Sequence, residues 1–265
     1  MNYRLAMLDV DGTLQHRGEW NPGAMELVDL LYRRGITVAL CSGRTTQSML
    51  WLAEQLGHVR FVSANSGATV LEHRGDEWVT LAHRAIDADA VGNAIERCAE
   101  AGIEVWLHTE REWIAAERTP RVELDESFVG DTASVQTLTA RDDVGKLLLL
   151  IGKPGEAGIA RSIGDVPGVA AVASSSVFVD LVPEAAAAGK GGDVLIERLG
   201  INWDEVIAVG DSENDRGMLR NAGLGIAIAP MTVEALGDAR PSQTRREAAD
   251  TAEALAVLRE FLAGA

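Results

Sequence analysis

Apolar runs separated by amphipathic stretches open the chain. Leu5–Val10 is continuous except for Asp9, the pattern of a strand buried on both faces of a parallel sheet. Asn21-Pro22 reads as a helix cap followed by proline in the first turn, and Gly35 closes that helix. Ile36–Cys41 predicts a second strand, Thr45–Leu56 a helix stopped by Gly57, and Val59–Ser63 a third strand. The same rhythm returns near the other end. A helix from about Gly191 to Leu199 precedes a strand at Val206–Val209, a helix near Asp215–Asn221 and a strand at Gly225–Ala229. Glu247–Leu262 carries Leu255, Leu258 and Leu262 at helical spacing and is expected to pack on the sheet. Strand and helix alternating at both ends predict an α/β fold built on a doubly wound parallel sheet.

Between these halves the pattern changes. Ala68–Glu72 and Glu77–Leu81 flank Arg74-Gly75-Asp76 as a hairpin, and a helix follows at Asp89–Ala101. Strands then come in pairs, Ile103–His108 with Trp113–Ala116 and Val169–Ala173 with Val177–Val182. Lys146–Ile151 and a helix near Ala157–Ile163 lie between the pairs. Paired strands with few helices predict an antiparallel α+β module. The expected division is therefore a core of residues 1–83 and 188–265 with residues 84–187 inserted. The alanine run Ala185–Ala188 reads as the hinge between them.

Charge narrows the functional classes. The chain of 265 residues has 40 acidic and 24 basic side chains, a formal charge of −16, and 18 of the acids against 9 of the bases fall in residues 84–187. Such a surface repels phosphate backbones and anionic membranes, and the nearest basic run, Arg245-Arg246, is too short to offset it. No stretch approaches the roughly 18–20 apolar residues of a membrane span. With two cysteines, Cys41 and Cys98, and no leader-like N-terminus, a cytoplasmic protein with reduced thiols is expected, without nucleic-acid or membrane partners. Only Lys146, Lys153 and Lys190 are lysines among the 24 basic residues. Each lysine is therefore a less casual choice than usual.

Four motifs carry chemistry. Asp9-Val10-Asp11-Gly12 sits where the first strand ends, the place where ligands gather in open parallel sheets. Burying two such carboxylates without a cation would cost several kcal/mol, and Mg²⁺ with its oxygen ligands resolves that. Asp211-Ser212-Glu213-Asn214-Asp215 is a second acidic cluster at a second strand end. A helix cap would explain its acids but not their repetition at equivalent strand ends. Ser42-Gly43-Arg44 ahead of the Thr45-Thr46 helix start offers a hydroxyl and backbone N–H groups to phosphate oxygens. Lys190-Gly191-Gly192 would bring an ammonium beside carboxylates and phosphate. His16, His58, His73, His83 and His108 lack metal-ligand spacing and are expected at the surface or in packing, as are Trp106 and Trp113.

In this order, each at a strand end, the four motifs resemble those of the haloacid dehalogenase (HAD) superfamily. The insertion between the second and third, with Gly210-Asp211-x-x-Asn214-Asp215 as the fourth, resembles the Cof-type phosphatases with a C2B cap. The resemblance implies a Rossmann-like core under an α+β cap that sets specificity, and hydrolysis of small phosphorylated metabolites, sugar phosphates in particular. It implies Asp9 as the nucleophile forming an aspartyl-phosphate and Asp11 as general acid and base. Asp9, Asp11 through its carbonyl, and Asp211 would hold Mg²⁺, with Asp215 supporting the metal's water shell and Lys190. Ser42, Gly43 and Lys190 would meet the phosphoryl oxygens, and Asn214 would position Lys190 or the phosphate. A phosphomutase on the same scaffold and a non-catalytic sugar-phosphate-binding module stay open as alternatives. This chain departs from the family in its longer alanine run, in an extra serine within Asn65-Ser66-Gly67-Ala68, and in the tail at Thr244–Ala249.

Overall fold

The computed structural model describes residues 2–263. Its larger sheet has eight strands, six of them parallel, in the order Thr244–Ala248, Leu224–Ile228, Val206–Gly210, Leu5–Leu8, Thr37–Cys41 and Val59–Ala64. From Leu5–Leu8 the chain builds outward one way, and from Val206–Gly210 it builds outward the other. The two strands lie side by side, so the switch point of the sheet falls between them.

The unbroken apolar run of the first strand follows from its place. Successive side chains point to opposite faces. Ala6 and Leu8 pack with the helices Ala24–Arg33, Thr46–Leu56 and Thr251–Ala263. Leu5 and Met7 pack with Gly192–Leu199 and Arg216–Asn221 on the other face. A hairpin of Thr69–Arg74 and Glu77–His83 completes this sheet in antiparallel fashion.

The second sheet has six strands, ordered Ser134–Val135, Trp113–Ala115, Val105–Thr109, Val144–Leu150, Phe178–Pro183 and Val169–Ala173. All of its pairs are antiparallel except the first. Leu107, Leu147, Leu149 and Val179 pack with the helices Ala88–Ala101 and Glu156–Ile163. Trp106, Trp113, Leu148 and Leu150 form a separate cluster with Val122, which lies on the helix Pro120–Val129.

Several local expectations need correction. Asn21 does not cap the first helix, which begins at Ala24 after Gly23; its amide donates to the Thr13 carbonyl at 2.8 Å and holds the loop beyond the first strand. Pro120–Val129 is a helix that the apolar pattern did not reveal, because only Val122 on it is buried; Thr119 caps it by accepting from the Val122 N–H. Within the alanine run, Glu184–Ala187 is a helical turn with Ala186 buried, in keeping with alanine's high helix propensity. Glu247 and Ala248 belong to a strand, so the last helix starts at Thr251. Thr-Arg-Arg-Glu-Ala conceals that strand because it is the sheet's edge, where charged residues are favoured. The short hairpin of Gln15–His16 and Glu19–Trp20 was also unanticipated.

One ion cluster ties a helix to the edge hairpin. The buried Glu72 carboxylate accepts from Arg60 at 2.8 Å, Arg74 at 2.6 Å and Arg198 at 2.8 Å. Burial alone would raise its pKa, but the bonds from Arg198, Arg74 and Arg60 prevail and hold it down to about 2. A depressed carboxylate stabilises the fold above its unfolded pKa, and that contribution fades as pH falls toward the folded value. With the arginines half in solvent, Glu72→Gln is expected to cost about 2 kcal/mol at pH 7. Urea melts of both proteins between pH 7 and pH 3 should show the gap closing on acidification.

Candidate active site

The two acidic clusters leave adjacent parallel strands at the same end. Pairing continues one residue beyond Leu8, since the Asp9 N–H donates to the Val209 carbonyl at 2.9 Å. That register brings Asp9 beside Asp211 and Asp215, with one oxygen from each within 4.8 Å of the others. Gly12 carries φ +88°, and a Cβ there would strike the Asp211 carboxylate, so this turn admits glycine alone. Thr13 donates to Asp211 Oδ1 at 3.2 Å from the same turn.

Lys190 is the hub. Its buried ammonium donates to Asp9 Oδ1 at 2.7 Å and to Asp215 Oδ1, and lies 3.4 Å from Asn214 Oδ1. Its backbone is left-handed, φ 52°, an unusual conformation for a side-chain-bearing residue. Ser63 fixes it there by donating to the Lys190 carbonyl at 2.7 Å. Asp215 is fully engaged, since its second oxygen accepts from the Asp211 and Ser212 N–H groups at 3.1 and 3.0 Å.

Burial would lower the Lys190 pKa, but the charges of Asp215 and Asp9 outweigh it and push it up, so the ammonium persists. Asp9 is pushed well up, first by burial and then by the Asp215 charge, with Lys190 pulling the other way. Asp211 is raised to about 7, again by burial and then by Asp215. Three carboxylates face one ammonium, and Asp9 Oδ2 is buried without a hydrogen-bond partner. An all-oxygen set with one buried carboxylate oxygen left unpaired fits a hard divalent cation such as Mg²⁺.

Ser42 and Asp11 join from the second and first strand ends. Ser42 is buried, and its hydroxyl lies 3.4 Å from Asp11 Oδ2. The Asp11 side chain is half-exposed and is gripped by Arg44, whose Nε and Nη2 reach its two oxygens at 2.9 and 2.7 Å. Gln15 steadies Arg44 at 3.1 Å. The sequence reading includes Arg44 in the Ser42-Gly43-Arg44 motif but gives its side chain no role; the structure places it on Asp11.

A cavity of about 240 Å³ opens over these groups, with Asp9, Asp11, Ser42, Gly43 and Asn214 on one side. The second sheet supplies the other side through His108, Lys146 and Phe178, joined by Asp125 and Phe128 of the Pro120–Val129 helix. Two further contacts hold the sheets in place. Lys146 donates to the Gly43 carbonyl at 2.6 Å, and Ser66, the extra serine, donates to Asp180 Oδ2 at 2.7 Å. Trp106 and Trp113 do not line the cavity; they pack together 5.1 Å apart in the apolar cluster. His108 does line it, contrary to its expected packing role.

A family model described as haloacid dehalogenase-like hydrolase matches residues 6–240. A putative phosphatase of Bacillus subtilis, YxeH, is 26% identical over 264 residues, covering 92% of this chain and 93% of that protein. A phosphoglycolate phosphatase of Methanospirillum hungatei is 25% identical over 228 residues, covering 85% and 84%. A chloroplastic endoribonuclease YBEY of Arabidopsis thaliana is 33% identical over 102 residues, but the chain spans only 17% of that protein. Among solved structures, a HAD subclass IIB sugar phosphatase superposes with TM-score 0.78 at 19% identity, covering 97% of this chain and 98% of its own. The fold is thus shared over nearly the whole length.

Proposed function

Because the chain belongs to the haloacid dehalogenase-like hydrolases and is a phosphatase of that family, we propose that it releases phosphate from small phosphorylated metabolites, sugar phosphates in particular, through an aspartyl-phosphate on Asp9. The observation that carries the reading is the state of the Asp9 carboxylate. One oxygen is fixed by Lys190, while the other is buried and without a hydrogen-bond partner in a residue that lines the cavity.

The residues divide the work. Asp9 attacks phosphorus, and the bond to the leaving oxygen breaks as the acyl-phosphate forms. Asp11 gives its proton to that oxygen, then takes one from the water that cleaves the acyl-phosphate. Arg44 orients Asp11 through its two-point grip. Lys190 and the Ser42 hydroxyl face the phosphoryl oxygens, and their charge and dipole are in place before reaction. Asn214 and Asp215 hold the Lys190 ammonium where it must act.

Asp9 and Asp211, with the Asp11 carbonyl and Asp215 behind them, would hold Mg²⁺. Bound there, the cation would offset the crowded carboxylates and polarise the phosphoryl group. Residues 84–187 act as the cap over the cavity, joined to the core near 82–84 and 185–189. Arg84 of the cap grips Asp193 of the core at 3.1 and 2.5 Å, and Arg161 grips Glu213 at 2.8 Å. No helix among the described residues is long and apolar enough to cross a membrane.

The test is phosphate release across a panel of phosphorylated metabolites. EDTA treatment is expected to lower turnover at least about 100-fold and Mg²⁺ to restore it, the several kcal/mol that a cation gives to a phosphoryl transition state. Full activity in thoroughly chelated protein would refute the metal assignment.

A further inference from the structure

Strand register puts His108 opposite Lys146 on neighbouring antiparallel strands, and Asp180 opposite Leu148 on the next. Side chains alternate across a sheet, so His108, Lys146 and Asp180 share the face that carries Leu148. Lys146 and Asp180 are both spoken for. Lys146 bonds the Gly43 carbonyl and stands 3.7 Å from Asp180, which also accepts from Ser66 and, at 3.0 Å, from Ser174.

His108 is different. It is 4% exposed, lines the cavity, and neither ring nitrogen has a partner. A buried imidazole left unsatisfied costs stability, and with Trp113 only 6.3 Å away an apolar side chain would suit the site better. Such a group is kept for something that enters the cavity. Burial, reinforced by the Lys146 charge, holds the ring neutral, so one nitrogen donates and the other accepts.

We propose that His108 is a specificity-determining residue that hydrogen-bonds a hydroxyl of the substrate's leaving group, so that the cavity selects neutral polyhydroxylated phosphates over phosphorylated carboxylates. The inference rests on the phosphatase reading above. A hydroxyl can give or receive, so it matches whichever ring nitrogen faces the cavity, whereas a carboxylate only receives. Asp125 also lines the cavity; burial raises it to about 6, and its ionised form repels a second carboxylate. Of the cations that line the cavity, Arg44 has its charge met by Asp11, with Nη1 left without a partner, Lys146 has Asp180 within 3.7 Å, and Arg17 is exposed to solvent.

Steady-state kinetics with sorbitol 6-phosphate, 2-phosphoglycolate and p-nitrophenyl phosphate test this, using wild type, His108→Leu and His108→Gln. Wild type should favour sorbitol 6-phosphate over 2-phosphoglycolate about tenfold or more in kcat/KM. His108→Leu should raise KM for sorbitol 6-phosphate about tenfold or more, and lower its kcat/KM relative to the aryl phosphate by a similar factor. The same variant should melt about 2–4 °C higher, since an orphaned polar group is gone. His108→Gln, which keeps a donor and an acceptor, should recover most of the preference. A lower melting temperature with all three substrates falling together would mean a structural role and overturn the proposal. An unchanged substrate ranking in His108→Leu, or a wild type that prefers 2-phosphoglycolate, would overturn it equally. If wild type hydrolyses none of the three in Mg²⁺, the phosphatase reading itself fails and this inference falls with it.

Discussion

Asp9→Asn is expected to lower phosphate release by about 10⁵-fold or more, the scale on which removal of an attacking nucleophile is felt. The amide keeps the shape of the side chain but lacks the negative oxygen that must bond to phosphorus. Loss of fold would not explain the result. Asp9 sits with Asp211 and Asp215 around one ammonium, and its own charge is disfavoured first by burial and then by Asp215. Neutralising it relieves repulsion, while Lys190 keeps its ion pair with Asp215. The variant should therefore melt at or above the wild-type temperature. Asp9→Glu sharpens the test, because it restores the charge one methylene too far out. Misplacement of that order costs about 10²-fold or more in a positioned reaction. Mass spectrometry of quenched wild type should find a phosphoryl adduct on the peptide bearing Asp9, and Asp9→Asn should lack it. Turnover by Asp9→Asn within tenfold of wild type would rule out the covalent route.

Much of this site was legible because chemistry and periodicity coincide in it. An acid that interrupts a doubly buried strand is costly, and Asp9 does so at the carboxyl end of the first strand. The second cluster repeats the arrangement at the end of Val206–Gly210, and the register pairing Leu8 with Val209 turns that repetition into convergence. Lys190 stood out through the scarcity of lysines and the glycines beside it. What was hidden depends on long-range pairing. Arg44 gains its meaning only from Asp11, 33 positions away, and His108 only from the strand register that sets it beside Lys146 in the cavity wall. The Pro120–Val129 helix covers the cavity with Phe128 and Asp125 while burying a single residue, so it left no apolar stripe to read. The edge strand Thr244–Ala248 failed for the opposite reason, since solvent on its outer side removes the pressure for apolar residues.

Asp11→Asn is expected to slow turnover of alkyl phosphates about 10²–10⁴-fold, the usual worth of a positioned acid or base. The sugar-like alkoxide leaves poorly unless protonated, so the first half-reaction suffers. A nitrophenolate needs no proton, and with p-nitrophenyl phosphate that half-reaction should largely recover. The second half-reaction still requires a base to activate water and should stay slow with either substrate. The aspartyl-phosphate should then accumulate, giving a burst of about one nitrophenolate per active site followed by slow steady release. Arg44 provides an internal control. It touches Asp11 and Gln15 without touching Asp9. Arg44→Met should thus mimic Asp11→Asn in kind but less in degree, raising the leaving-group dependence of kcat because the acid is present but unheld. Equal slowing of aryl and alkyl phosphates in Asp11→Asn, with no burst, would place proton transfer elsewhere in the site. The most accessible other carboxyl in the cavity is Asp125, raised to about 6 by burial, and an Asp125→Asn comparison would then locate the acid.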